Sequence, residues 1–581
     1  MWLTGSVLAI IRVAKSLRLE DGKLAETEKA DLILGDQLAH QNYKLLANRI
    51  SSFVLPEIES GKDLVARHFL VFGGSQILIH HLCVIPFVQQ SQFMEMTNIF
   101  MPVFSGVKRT LFELSPKSIL RGQSRLDSLS IFSLMLSIGI LLDNITLGIG
   151  PLRGGNILAW LVIFSLLMIW IQPRSILILL FSLIAQNIYT FEKMPRIPNH
   201  ILFEFIINSG FILAILLVSL KDFPVVDKKL RSHLYLVFVS LGKTSLIFLY
   251  FFSVLHKLNY DFFSQTHGCS VELLSVIHNR LLNSEPPTLL LLSSGWLTII
   301  TETLIPIFLC FRFTRIFGIV IGCCFHFILA WHPIQVITGF SALIYSLFFL
   351  FVSPIYSHEY PSKILKKIRW IGLILIINLV FICIFIEQWS KVIVQSFFTL
   401  WFIVVIVFLV KEVIQDKNIR SSQFIPKKSL FIKLFLTFLV SLVLTINGMT
   451  SYFGLKTHTN LSMFSNLQTE NRTTNHFFIP QALKLFDFQD DLVEIIDTNV
   501  KPLKDLTNGD GILLTYFEFQ RIINNLKRDF FVYYVSNGKE YYLRVEKGNI
   551  NNPDLIEPNH WLLNKFMSFR KIYKDYSPCQ W

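Results

Sequence analysis

From residue 128 to residue 447 the chain alternates long apolar runs with short polar connections, and the runs are apolar on every side rather than in stripes. A helix that crosses a bilayer needs roughly 17–25 mostly apolar residues in a row. Eleven windows meet that pattern: 128–147, 156–172, 174–190, 201–220, 233–255, 290–311, 316–332, 336–354, 369–387, 394–411 and 429–447. The windows 156–172, 174–190 and 316–332 are short or closely spaced, so the expectation is about eleven spans.

The connections order the windows. Lys and Arg concentrate before the first window (107–126), in 221–232, at Arg312 and Arg315, around Lys363–Arg369, and in 411–428. With eleven spans these all fall on one side, and the alternate connections are poorer in both residues. Cytoplasmic loops collect Lys and Arg, so the N-terminus is expected in the cytoplasm and the C-terminal tail outside it, with loop 256–289 on the same side as the tail. The expected organisation is a cytoplasmic or interfacial region 1–126, a transmembrane helical domain 127–447, and an extracytoplasmic domain 448–581. In the first region 64–88 is apolar but interrupted by Arg67, His80 and His81.

After Gly448 the charges return and shorter periods appear. Phe530–Val535 and Glu540–Val545 flank Ser536-Asn537-Gly538-Lys539, a hairpin signature with Asn-Gly at the turn, and 513–527 has helical spacing. The fold class expected is an all-α polytopic membrane protein with a small C-terminal α+β domain outside the membrane.

Composition agrees: 52% of the 581 residues are hydrophobic and 16% charged, against roughly 25% charged in soluble domains. The net charge of +13 is therefore read as loop charge on a membrane protein, not as a nucleic-acid surface. Seven cysteines mostly lie inside apolar runs and their spacing fits no zinc site. Cys269 and Cys579 fall outside the windows and could pair, but spacing leaves the connectivity open. Asn460-Leu-Ser and Asn471-Arg-Thr have the form of glycosylation acceptors. No phosphate-binding glycine loop, HExxH, GxSxG or carboxylate cluster is present, which argues against an ATPase, a zinc protease and a serine hydrolase.

Titratable groups at membrane depth are costly and are candidates for function. The fifth window ends in FLYFFSVLHKLNYDFF, where His256 and Lys257 close an aromatic run and Asn259 follows. Lys257 could snorkel to the interface as a helix-end anchor. Alternatively, apolar surroundings favour the neutral amine, which can act as a base. Glu302 falls inside the sixth window and needs protonation or a partner, sought in an arginine or histidine of a neighbouring helix. Arg312, Arg315 and His326 follow it, and Gly318, Gly322, Cys323 and Cys324 would let a helix approach closely. Asn199 and His200, at a helix start, read first as capping residues.

Three stretches resemble the horizontally transferred transmembrane domain (HTTM) family, whose best-known members are the vitamin K-dependent gamma-carboxylases. They are YFFSVLHKLNYDF (250–262), the series from Glu302 through Pro306, Arg312, Arg315, Gly318 and Gly322 to His326, and FGLKTHTNLSMFSNLQTENRTTNHFFIP (453–480). The chain departs from the carboxylases in carrying His-Lys-Leu-Asn in place of a double lysine followed by an acidic residue, in Phe262 where tryptophan is common, and in a shorter tail.

The resemblance implies an integral membrane enzyme, in the carbon-carbon lyase class, that couples quinol oxygenation to glutamate carboxylation. Lys257 would be the base toward reduced vitamin K or menaquinol, with His256 beside it and Glu302, Arg312, Arg315, His326 and Asn259 as supporting or pocket residues. Oxygen and carbon dioxide would be co-substrates, with no metal. The partners would be membrane lipid and a protein or peptide glutamate on the extracytoplasmic side, with no nucleic acid. The family's spread and the Ile-, Asn- and Lys-rich sequence point to a bacterial inner membrane. The competing expectation is a non-catalytic protein of the same fold that binds a quinone or lipid or assists assembly of a partner. A transporter, with polar or broken helices around a midplane site, fits less of the sequence.

Overall fold

In the computed structural model the described residues are 126–580, except 220–227, 353–361, 417–426, 508–510, 527–528, 547–548 and 552–558. The apolar stretch 64–88 and much of the basic connecting chain lie outside the described residues.

The described part of each of the eleven apolar windows is largely helical. In order they fall in α1 (Ser128–Arg153), α2 (Ile157–Ile171), α3 (Ile176–Lys193), α4 (Asn199–Ser219) and α5 (Lys228–Lys257). After α5 comes α6 (Cys269–Leu282), and then α7 (Thr288–Cys310), α8 (Arg315–Leu329) and α9 (Val336–Val352). The remaining helices of this region are α10 (Ser362–Phe385), α11 (Glu387–Asp416) and α12 (Lys427–Met449). Side-chain caps start two of them: Asn156 accepts from Leu158 N and Ala159 N, and Ser175 from Ile178 N.

Among the described residues seven helices, namely α1, α3, α4, α5, α7, α11 and α12, are long and apolar enough to cross a membrane. The other four windows form shorter apolar helices, Ile157–Ile171, Arg315–Leu329, Val336–Val352 and Arg369–Phe385. The chain is thus a multi-pass helical protein in which, among the described residues, seven helices meet the length and apolarity of a span. Helix α9 shows that an apolar window need not face lipid. It is buried nearly all round, so its apolarity answers to protein neighbours. It lies against α1 at two glycines: a Cβ on Gly139 would stand 2.9 Å from Leu343 Cα, and one on Gly339 would stand 1.9 Å from Asp143 Oδ1. Small residues at such crossings let helix backbones approach. The outward faces of α7 and α12 expose Trp296, Ile300, Phe431 and Phe438, as a lipid-facing surface does.

Residues 450–491 form an irregular cap over the end of the bundle where α5 and α12 finish and α4 starts. Leu461 N donates to Asn199 Oδ1 (2.9 Å), and Asn259 Nδ2 donates to Ser465 O (2.6 Å). Asn199 therefore anchors the cap. Asn460, Ser465 and Asn466 are fully buried here. Asn460 donates to Ser451 Oγ and accepts from Ser462 Oγ, which leaves its amide inaccessible, whereas Asn471 is exposed.

The cap leads into a six-stranded antiparallel sheet of order β5-β4-β3-β1-β2-β6. Its strands are β1 (Leu492–Thr498), β2 (Ile512–Thr515), β3 (Phe530–Ser536), β4 (Lys539–Glu546), β5 (Asn549–Ile550) and β6 (Ile572–Tyr573). The β3–β4 hairpin pairs Ser536 with Lys539, and Asn537 (φ 51) and Gly538 (φ 72) supply the left-handed turn. Helix α13 (Lys501–Lys504), α14 (Tyr516–Asn524) and α15 (Trp561–Phe566) complete the domain. Val493, Ile495, Phe519, Ile523, Val532 and Leu543 belong to its core. A disulfide joins Cys269, at the start of α6, to Cys579. It closes the connectivity that spacing left open and ties the end of the tail to the bundle.

Candidate functional site

Positions 250, 253 and 257 of α5 are spaced to lie on one helix face, and that face meets α7 and α8. Lys257 is 4% exposed and its side chain does not snorkel. Its Nζ donates to Ser253 Oγ (2.6 Å) and to Glu302 Oε2 (2.8 Å) and Oε1 (3.0 Å). Ser253 Oγ also donates to Glu302 Oε2 at 3.0 Å. The partner of Glu302 is therefore this lysine, not an arginine or histidine. One turn down α5, Tyr250 Oη lies 2.8 Å from His326 Nε2 of α8. Lysine, glutamate, serine, tyrosine and histidine form one polar strip within an apolar bundle.

The strip lines a cavity of about 300 Å³ enclosed by α5, α6, α7, α8, the start of α9, and Met463 and Phe464 of the cap. The volume is at the lower end of roughly 300–1,000 Å³ for small-molecule sites. Most of the lining is apolar, including Leu249, Leu274, Ile277, Leu297, Ile328 and Phe340. Phe464 has φ 48 and the nearby Leu461 φ 69. Bulky residues adopt this left-handed conformation only where the surroundings impose it, and such residues cluster at functional sites.

The other sequence candidates lie elsewhere. His256 is fully buried, but its Nε2 meets Gly448 O at 3.0 Å and its ring packs on Phe252 and Tyr452, toward α12. Asn259 Oδ1 accepts from Phe262 N (2.9 Å) while its amide holds His256 O and Ser465 O, so it fastens the cap. Arg312 and Arg315 sit at the turn between α7 and α8, outside the cavity lining. That turn is roughly 15 Å of helix rise beyond Glu302.

Tyr250 and Ser253 were not singled out from the sequence, although their spacing from Lys257 carries the signal. Helix α6 was read as loop, yet its Leu273, Leu274 and Ile277 form one wall. An apolar chamber with one polar strip can take a mostly apolar molecule, orient a hydroxyl or carbonyl of it, and exchange a proton with it. Comparison of the chain with known protein families, curated proteins and solved structures finds no match.

Proposed function

We propose that the chain is a membrane enzyme that takes a reduced quinone from the lipid into this cavity and accepts a hydroxyl proton from it, as in the vitamin K-dependent gamma-carboxylases. One observation carries the reading: the Lys257–Glu302 pair, 4% and 7% exposed, stands at the wall of an apolar cavity. The cavity fits the head of such a molecule, apolar on most sides and polar on one. Lys257 Nζ would receive the proton as it passes one of its own to Glu302 Oε2, so Glu302 becomes neutral and the ammonium that remains balances the negative charge left on the bound molecule. Tyr250 and His326 would orient that charge, and Phe464 and the cap would keep water out. A reduced quinone would supply, together with oxygen, a base far stronger than an amine, suited to removing the γ-proton of a glutamate before carbon dioxide adds. The disulfide supports an extracytoplasmic capped end, because such bonds persist in oxidising compartments. That orientation would leave the N-terminus in the cytoplasm and, in a bacterium, the protein in the inner membrane.

A second reading has its own support. Ser253 and Glu302 satisfy the Lys257 ammonium, as they would in a purely structural ion pair. The chain would then hold a quinone or lipid, or assist assembly of a partner, without turnover. The test is oxygen-dependent epoxide formation from reduced vitamin K or menaquinol by the purified full chain, beside Lys257→Ala, with quinone binding measured on both. Turnover lost in a variant that still binds quinone supports the enzyme. Folded, quinol-loaded wild type without turnover carries the second reading.

A further inference from the structure

A second buried polar cluster lies between α1, α3 and α4, outside the cavity lining. Asp143 of α1 and His200 and Glu204 of α4 are 0%, 4% and 2% exposed. Asp143 Oδ1 lies 3.1 Å from His200 Nε2, and Glu204 Oε1 accepts from Asn208 Nδ2 at 3.1 Å. The two carboxyl groups also interact directly with one another. From α3 the neutral Gln186 joins Glu204, and its Oε1 takes Asn144 Nδ2 at 3.0 Å. From α9 come no charges, only Gly339 against Asp143 and the Phe340 ring against His200.

The hydrogen-bond inventory is short of donors. Asp143 Oδ2, Glu204 Oε2 and Asn208 Oδ1 are buried with no partner. Two buried carboxylates beside each other, with the His200 imidazole against only one of them, are costly, and such groups take up protons instead. Two carboxyls can hydrogen-bond each other only with a proton between them. Among the described residues no group of three or more His, Cys, Asp or Glu is arranged to hold a metal ion, and a proton held between the two carboxyls would supply the donor.

We propose that Asp143 and Glu204 share a proton, and that with His200 they form a proton store set one aromatic ring away from the cavity. Phe340 is that ring. Its centroid is 5.3 Å from His200 and 5.2 Å from His326, and it lines the cavity. Buried carboxyl and imidazole groups are the usual parts of intramembrane proton relays. Here Phe340 separates the store from the Tyr250–His326 end of the polar strip. The inference rests on the donor shortage and does not require the Lys257 chemistry.

Infrared difference spectroscopy on the purified full chain at neutral pH tests it, with Asp143→Asn and Glu204→Gln against wild type. A carbonyl band of a protonated carboxylic acid is expected in wild type, and it is expected to be lost or shifted in frequency in both variants, because the proton is no longer shared. Glu302→Gln, which alters a carboxylate already paired with lysine, is expected to leave the band in place. Absence of the band from wild type, or its survival unshifted in either folded variant, overturns the proposal. If Asp143→Asn does not fold, Glu204→Gln and the wild-type spectrum decide. Stabilisation of a band-free wild type by sodium over potassium would assign the site to a cation and also overturn it. In heavy water the band is expected to shift slowly in wild type and much faster in Phe340→Ala; equal rates would overturn the partition.

Discussion

Lys257 and Glu302 stand 45 residues apart in the chain, and their Nζ and Oε2 atoms lie 2.8 Å apart. A lysine at the end of an apolar helix ordinarily carries its ammonium out to water along its stem. Lys257 instead turns along α5 to Ser253, one turn earlier, and meets a carboxylate from the adjacent α7. The pair is buried beneath the cap, so each partner is the other's main compensation for lost water.

That dependence sets the first expected outcome. Glu302→Gln leaves a buried ammonium with neutral partners, and removing one member of a buried pair costs about 3–5 kcal/mol. Replacing both, as Lys257→Met with Glu302→Leu, removes the stranded charge and is expected to recover most of the loss. Denaturant unfolding in detergent of Lys257→Met, Glu302→Leu and the double variant completes the cycle. Additive losses would mean that the pair is not coupled in the folded protein.

The Cys269–Cys579 disulfide sets the second. It joins residues 310 apart and holds the tail to the helix that walls the cavity. Cys269→Ala is expected to destabilise the tail by about 2–5 kcal/mol, Cys579→Ala by the same amount, and the double variant by no more than either. Protease cleavage within the sheet domain, followed with and without reductant, measures the loss. Unchanged cleavage in the variants would remove the bond from any account of how the cap is held.

Much of the membrane domain was legible because a helix surrounded by lipid must be apolar on every side, and that pattern needs no knowledge of neighbours. Which windows face lipid was less so, since α9 is equally apolar for being enclosed by protein. Glu302 was readable as a buried carboxylate in need of a partner. The partner's identity depends on how α5 is rotated against α7, and one sequence does not record that rotation. The pairing of His256 with Lys257 as a joint site could have been doubted from geometry alone. Adjacent helical residues point about 100° apart, and here one faces the cavity and the other α12. The hairpin at Asn537-Gly538 was legible from its turn chemistry. The cap was not, because left-handed residues such as Thr459, Leu461 and Phe464 follow no period.

Asn466 lies beside the disulfide and bridges the chain segments that meet there. Its Oδ1 accepts from Cys269 N (2.7 Å), and its Nδ2 donates to His267 O (2.9 Å) and Ser577 O (2.8 Å). Its φ of 52 is a conformation that asparagine and glycine tolerate better than other residues. Asn466→Gly keeps the backbone and loses the bonds, an expected cost of about 1–3 kcal/mol. Asn466→Ala adds left-handed strain of roughly 1 kcal/mol. Thermal unfolding of the two variants separates the contributions, and equal midpoints would show that the backbone conformation carries no strain.

Lys456 gives the cap a pH dependence of its own. Among the described residues its Nζ donates to Thr459, through the carbonyl (3.2 Å) and the hydroxyl (3.2 Å). Burial lowers its pKa from 10.5 to about 7. Between those values the unfolded chain binds the proton and the folded chain does not, so stability rises with pH across that window. As pH falls toward 7 the gain is lost, and below it both states carry the proton. The slope is at most about 1.4 kcal/mol per pH unit. Wild type is therefore expected to be more stable at about pH 9 than at about pH 7, and Lys456→Met, which cannot bind the proton, to lose this part of the slope. Unfolding midpoints of both proteins across the window test it, and an identical slope in the variant would mean that Lys456 keeps its proton in the folded cap.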